Sequence, residues 1–357
     1  MPENILKYSD VLNEINNNSK NKTLLLGNGF SIAYNPQRFS FTHLKESAIK
    51  QGILKEDSSV LKLFSQFNTD DFEKIIKLLN DYIKVEKILN PTKEHSELKA
   101  EIEQLKQHLV ETITNNHPDT ANSLSQSEYQ HACNFIKDYN RIYTLNYDLL
   151  LYWVVMNLLS HKEAPNLSSA LNINDGFKTP INRDEIYVSF ENEGSSQLGI
   201  FYLHGALHLF DNRDEIIKLT FSKTDIPLKQ QIKSNLDKEV YPVFISEGTS
   251  SEKKEKIIHN AYLNHCYRSL RCISGNLVIF GTLLKMNDQH IQEAICHNKC
   301  ENIYIGLFEP KTERKVLVPF IEKLLKNPIH HGAGKKATPR NIKFFDSRSV
   351  DIWGHEC

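Results

Sequence analysis

The stretch that most restricts the fold is Leu24-Leu25-Leu26-Gly27-Asn28-Gly29-Phe30-Ser31-Ile32-Ala33. An apolar run ends in Gly-Asn-Gly, and a serine leads into a second apolar segment. The pattern predicts a buried strand, a tight turn and a helix start. Glycine at 27 and 29 opens unusual backbone angles and lets a ligand lie against the main chain. Ser31 is placed to cap the following helix, and an open helix N-terminus suits a phosphate. The same pattern also serves as an ordinary strand-to-helix turn.

Hydride transfer is disfavoured. The dinucleotide fingerprint wants Gly or Ala three positions after the second glycine, where this chain has Ile32, and no acidic residue stands after a second strand to hold a ribose. The chain has 357 residues, 40% hydrophobic and 24% charged, with a net charge of −1, so composition indicates neither a nucleic-acid nor an anionic-membrane partner. Basic runs at Lys253-Lys254 and Lys335-Lys336 are short and read as solvated surface. Six cysteines, at 133, 266, 272, 296, 300 and 357, include no Cys-x-x-Cys pair, which argues against a zinc ribbon. Cys296 and Cys300 are spaced to share a helix face near His297, with idle thiols the expected reading and no metal expected. The cysteine count suits a reducing cytosol. The start of the chain lacks a signal segment, and the longest apolar block, Leu149 to Leu159, is interrupted by Asn157 and too short to cross a bilayer. The expectation is a soluble, cytoplasmic protein.

Along the chain, residues 5–18 read as a helix and 22–26 as a strand. Residues 35–45 read as irregular, a flap or packed loop carrying Phe39 and Phe41. Residues 56–116 read as a helical insertion, with apolar positions three and four apart and Asp70 or Asp71 as a cap. A helix near 127–138 precedes a strand at 141–145, which ends in Asn146-Tyr147-Asp148 before an apolar helix. Asp148 is most simply the cap of that helix. Asn146 is a turn residue or a polar finger into a cleft. Residues 161–198 read as loop-rich, with a turn at Asn174-Asp175-Gly176-Phe177. The strand at 200–203 ends in His204-Gly205, and His208 reads as structural. Strands at 216–222 and 242–246, and a helix over 251–273, follow. A third apolar strand runs through Phe280 into Gly281-Thr282, ahead of a helix that Asp288 can cap. Strands near 302–308 and 341–345 flank a helix at 312–327. This alternation predicts an α/β domain with a mostly parallel sheet flanked by helices, one domain over residues 1–357 with an inserted helical module at 56–116. Open α/β sheets bind ligands at such strand-to-helix junctions.

Four junctions stand in order: Gly27-Asn28-Gly29-Phe30-Ser31, Thr144-Leu145-Asn146-Tyr147-Asp148, Leu203-His204-Gly205, and Phe280-Gly281-Thr282-Leu283-Leu284 with Asp288. Together they resemble the sirtuin-like superfamily, in its bacterial stand-alone NAD-hydrolase branch, and a poorly characterised bacterial family with the same Gly-Asn-Gly-Phe-Ser start. The resemblance covers roughly residues 20–310. It implies a Rossmann-like fold and NAD as substrate. By match, Gly27, Gly29 and Ser31, with Asn28 between them, hold the pyrophosphate. Asn146 contacts the nicotinamide ribose or positions water, and His204 is the general base. Gly281 and Thr282 contact the adenosine side, while Asp148 and Asp288 support from behind. Two departures matter. The zinc-binding cysteine pairs of sirtuin deacylases are absent, which argues against deacylation, and Leu283 replaces the serine that follows Gly-Thr.

The expected reaction is cleavage of the nicotinamide–ribose bond to nicotinamide and ADP-ribose. It needs a dry pocket, polar groups at the ribose and a base for water. A histidine titrating near neutrality suits that base, and Phe30 or Phe39 is a candidate wall for the nicotinamide. Related enzymes act in anti-phage defence, which implies an activating partner or phage signal and gives the insert a regulatory or oligomerising role. The alternatives are a non-catalytic NAD or ADP-ribose sensor, and ADP-ribosyl transfer to a macromolecule.

Overall fold

A computed structural model describes residues 5–18, 20–160, 171–180, 185–191, 198–245, 250–331 and 336–355. Its strands are β1 (Ile5–Leu6), β2 (Lys22–Leu26), β3 (Arg141–Thr144), β4 (Phe177–Lys178), β5 (Tyr187–Phe190), β6 (Ile200–Tyr202), β7 (Leu209–Asp211), β8 (Ile216–Leu219), β9 (Ser274–Phe280), β10 (Lys299–Leu307) and β11 (Asn341–Asp346). Seven of them form one sheet in the order β1-β11-β10-β9-β2-β3-β6, and every pairing within it is parallel. Leu24, Leu25 and Leu26 are all fully buried, as a strand covered by helices on both faces requires. The fold is the expected α/β, Rossmann-like arrangement.

Strand order reverses at β2. From its one side the chain winds outward through β3 to β6, and from the other through β9, β10 and β11. That makes the β2–β9 boundary the topological switch point, where open sheets leave a crevice at the carboxyl ends of their strands. Register sharpens this. Leu26 lies opposite both Phe280 and Thr144, and Thr144 lies opposite Tyr202. Four strands therefore end level, and the residues that follow them stand side by side.

Helices Ser59–Gln66, Phe72–Leu89 and Ser96–Asn116 occupy the expected insertion between β2 and β3. Asp71 caps the second of them by accepting from the amides of Glu73 and Lys74. Phe64, Phe72, Ile76 and Leu105 belong to the same buried cluster as the sheet, so the insert packs onto the common core. No helix among the described residues is long and apolar enough to cross a membrane.

Several local expectations are corrected. Residues 5–18 divide into β1, which pairs with β11 at the sheet edge, and a helix Tyr8–Asn16. Residues 35–45, read as irregular, are largely helical: Pro36 opens one short helix, as its fixed φ favours, and Ser40 caps the next, Phe41–Lys50. Phe30 and Phe39 are core. Phe30 packs at a tilt against Trp353, whose indole N–H donates to the Phe30 carbonyl, and Phe39 packs on Tyr34 and His117. The stretch read as one helix over 251–273 is two, because Asn260 breaks the first and caps the second through the Leu263 amide. Strand β8 ends at Leu219, and Phe221–Thr224 is a helical turn. Residues 242–245 make only a bridge from Phe244 to Gly205. Cys296 and Cys300 do not share a helix, since Asn298 ends the helix Gln289–His297 and Cys300 lies on β10.

The loop-rich region contributes β4 and β5 to a second sheet, antiparallel in the order β4-β5-β8-β7. It packs Phe177 and Phe190 on Tyr262 and buries the Lys218–Asp175 ion pair. The remaining stretches of 161–198, together with Lys335 and Cys357, lie outside the described residues.

Candidate functional site

The first and fourth junctions cross at the switch point. The Gly27 amide donates to the Phe280 carbonyl, and the Gly29 amide donates to the Gly281 carbonyl, each at 2.9 Å. A Cβ at Gly29 would lie 2.4 Å from the Gly281 Cα, and Gly281 itself has φ +73°. These glycines are required because two turns touch backbone to backbone. The close approach here is between the two turns, and the Gly27 and Gly29 amides are already satisfied. Thr282 Oγ1 accepts from the Leu284 amide, and Asn28 Nδ2 donates to the Phe39 carbonyl at 3.1 Å.

Ser31 is also placed differently. It lies inside the short helix Gly29–Tyr34 instead of capping it. Its hydroxyl donates to Asp148 Oδ2 and accepts from Asn146 Nδ2 at 2.8 Å, which ties the first junction to the second. Asp148 Oδ1 accepts from the Leu150 amide at the helix start, the expected capping role. Burial pushes the Asp148 carboxyl above its ordinary range, against the pull of Ser31 and that amide. Asn146 is 7% exposed, and its Oδ1 has no hydrogen-bond partner among the described residues. A buried carbonyl left in that state costs about 1–3 kcal/mol. A turn residue has no need of it.

The third junction brings His204 to the same edge, 3% exposed. Gly205 beside it has φ +85°, and a Cβ there would meet the Val243 carbonyl oxygen at 1.9 Å. The His204 ring lies along Tyr147, with centroids 6.5 Å apart. Its Nε2 is 3.0 Å from His290 Nε2 and 4.0 Å from Asp288 Oδ1. His290 Nδ1 in turn meets Ser250 Oγ at 3.2 Å. Burial, reinforced by the Lys253 charge, holds both imidazoles below their ordinary values, His290 down to about 3. His204 is thus a neutral imidazole at physiological pH, well below the near-neutral titration expected of it.

Asp288 makes no side-chain cap on its helix, which corrects that expectation. Its carboxylate instead faces Lys253 Nζ at 3.5 Å. Lys253, 1% exposed, also pairs with Glu73 Oε2 at 3.0 Å. Glu73 accepts from Asn287 Nδ2 at 3.3 Å and lies 3.3 Å from the Tyr147 hydroxyl, which donates to the Ile245 carbonyl. Burial and the neighbouring Asp288 push the Glu73 carboxyl up to about 7, while the two carboxylates hold Lys253 in its charged form. His204, Asp288 and His290 place three donor atoms within 4.8 Å of one another, the spacing a metal ion needs. The Lys253 ammonium already supplies positive charge to that carboxylate.

The four junctions therefore meet in pairs around one edge. Sequence reasoning missed His290, Glu73, Lys253, Ser250 and Tyr147. The Asp288-x-His290 spacing at the start of a helix was a usable signal. Glu73 reaches the site only through the packing of the insert, and Lys253 through the helix Ser250–His259 that the insert meets. His208, read as structural, is fully buried against Tyr152 and Tyr202. His117 is structural as well: its Nε2 accepts from the Leu149 amide at 3.0 Å.

The profile of a family described as a domain of unknown function, DUF4917, matches residues 24–353. The chain belongs to that family. The match runs from β2 to Trp353 and takes in all four junctions and the buried charges behind them. No curated protein matches the chain.

Proposed function

We propose that the protein is an NAD glycohydrolase that cleaves the nicotinamide–ribose bond, with Asn146 and His204 at the reacting end of the dinucleotide. The observation that carries this reading is the level ending of β2, β3, β6 and β9, which sets Asn146, His204 and the crossed glycine turns on one edge at the switch point.

The free Oδ1 of Asn146 accepts a hydrogen bond from a ribose hydroxyl or from water without adding charge. Ser31 and Asp148 hold the amide group so that this oxygen faces away from them. His204, kept neutral by burial, takes the proton of the attacking water as the bond to nicotinamide breaks. Expulsion of a neutral pyridine leaves a cationic sugar, and the acids Glu73 and Asp288, in so far as they are ionised beside Lys253, favour it. The amides of Gly27 and Gly29 are spent on β9, so a pyrophosphate at this turn is held by its remaining groups, Asn28 and Thr282 among them. Asn146 and His204 are buried in this conformation, so substrate access requires an opening movement. That closure suits a latent bacterial defence enzyme of the cytoplasm, switched on by a partner, a phage signal or self-association. It also favours a second reading, a sensor that binds NAD or ADP-ribose without turnover.

Two variants separate these. His204→Ala and Asn146→Ala abolish release of nicotinamide, a loss of roughly 10²–10⁴-fold, and leave the unfolding midpoint near that of the parent. Saturable binding of NAD with no nicotinamide released by any sample supports the sensor. Undiminished hydrolysis in both variants sinks the assignment of these residues.

A further inference from the structure

The site contains a base with little direct access to water. His204 is enclosed, yet its Nε2 touches His290, whose Nδ1 touches Ser250. Ser250 opens the helix Ser250–His259 and lines a surface cavity of about 360 Å³, together with Lys254, His259 and Glu293. We propose that His290 and Ser250 form a proton relay that connects buried His204 to solvent at this cavity. The proposal rests on the reading of His204 as the base.

The relay assigns a direction to each bond, and with it a tautomer to each ring. Ser250 Oγ accepts from His290 Nδ1–H, which leaves the lone pair of His290 on Nε2. His204 must then donate from its Nε2–H, and its own lone pair sits on Nδ1. A proton arriving at His204 Nδ1 lets the Nε2 proton pass to His290 Nε2. The His290 Nδ1 proton passes to Ser250 Oγ, and the hydroxyl proton leaves to water in the cavity. One proton enters and one leaves, and each ring ends in its other tautomer until a rotation restores it. Charges around the path favour passage over storage. Lys253 and Lys254 oppose an imidazolium at His290, while Asp288 lies 4.0 Å from His204 Nε2 to stabilise the proton in transit. A structural histidine pair needs neither the Ser250 contact nor the cavity beyond it.

The relay is testable without substrate. In protein labelled with ¹⁵N at histidine, NMR should find His290 as the Nδ1–H tautomer and His204 as the Nε2–H tautomer. Ser250→Ala should slow exchange of the His204 ring proton with water by roughly tenfold. A proton resident on His290 Nε2, or exchange unchanged in Ser250→Ala, overturns the relay. In the NAD assay, His290→Ala should lower kcat with little change in KM, and added imidazole should restore it. An unchanged kcat in dilute buffer also overturns it. A parent protein that shows the predicted tautomers and exchange and binds NAD but releases no nicotinamide supports the path and favours the sensor over the glycohydrolase.

Discussion

The glycine crossing and the His204 cluster lie on the same sheet edge and are built on opposite terms. At the crossing, Gly27 and Gly29 donate to Phe280 and Gly281, and the backbones leave no space between them. The part of the sequence that most suggests a ligand is internally satisfied and close-packed. The His204 cluster draws Glu73, Lys253, Asp288 and His290 from distant segments. It retains a neutral imidazole and a carboxyl raised to about 7. Glycines mark where backbones must approach. Chemical availability is marked by polar groups whose burial is not fully compensated.

The largest effect that could break this contrast is at Lys253. Lys253→Met leaves Glu73 and Asp288 buried without their cation, and stability in urea should fall by about 3–5 kcal/mol. A loss within experimental error would mean the cluster is solvated and ordinary. Next is the crossing. Gly29→Ala places a methyl 2.4 Å from the Gly281 Cα, and overpacking of this kind costs about 1–3 kcal/mol. Full stability would show that the turns are free to separate and are a flexible ligand loop after all.

The smallest effect sharpens the electrostatics. His117, His204, His208 and His290 have folded-state values held below the ordinary histidine range by burial. Their contribution is fully present above the unfolded value, about 6.5, and is lost as the pH falls below it toward the folded values. Between pH 7.5 and 5.5 each costs about 1.4 kcal/mol. Glu73 acts with opposite sign, because its raised folded value makes the native state take up a proton first as the pH falls through about 7. Glu73→Gln removes that compensation, so its acid loss, measured by urea unfolding at both pH values, should be steeper than that of the parent. Equal slopes would place Glu73 in water.

Much of the architecture was legible because its signals are local. Leu24 to Leu26 and Leu277 to Phe280 are unbroken apolar runs of parallel-strand length, and the strand ends carry the polar residues that the level register brings together. Asp71 and Asp148 announced the helices they cap. Strands β4, β5 and β7 were not legible, because two to four residues are too few to display a period. Pro36 read as a break where it starts a helix. In the site, Asn146 and His204 stood at strand ends, but the partners that set their charge did not. Nothing in the amphipathic pattern of 56–116 singled out Glu73, and Lys253 read as part of a solvated basic run. Only the docking of the insert against the helix Ser250–His259 buries them together.

The most direct test is to incubate the purified protein with NAD and quantify free nicotinamide and ADP-ribose, with His204→Ala alongside. The account predicts equimolar release of both products by the parent and none by the variant. Equal release by both proteins would contradict it, as would a parent that neither binds nor cleaves NAD.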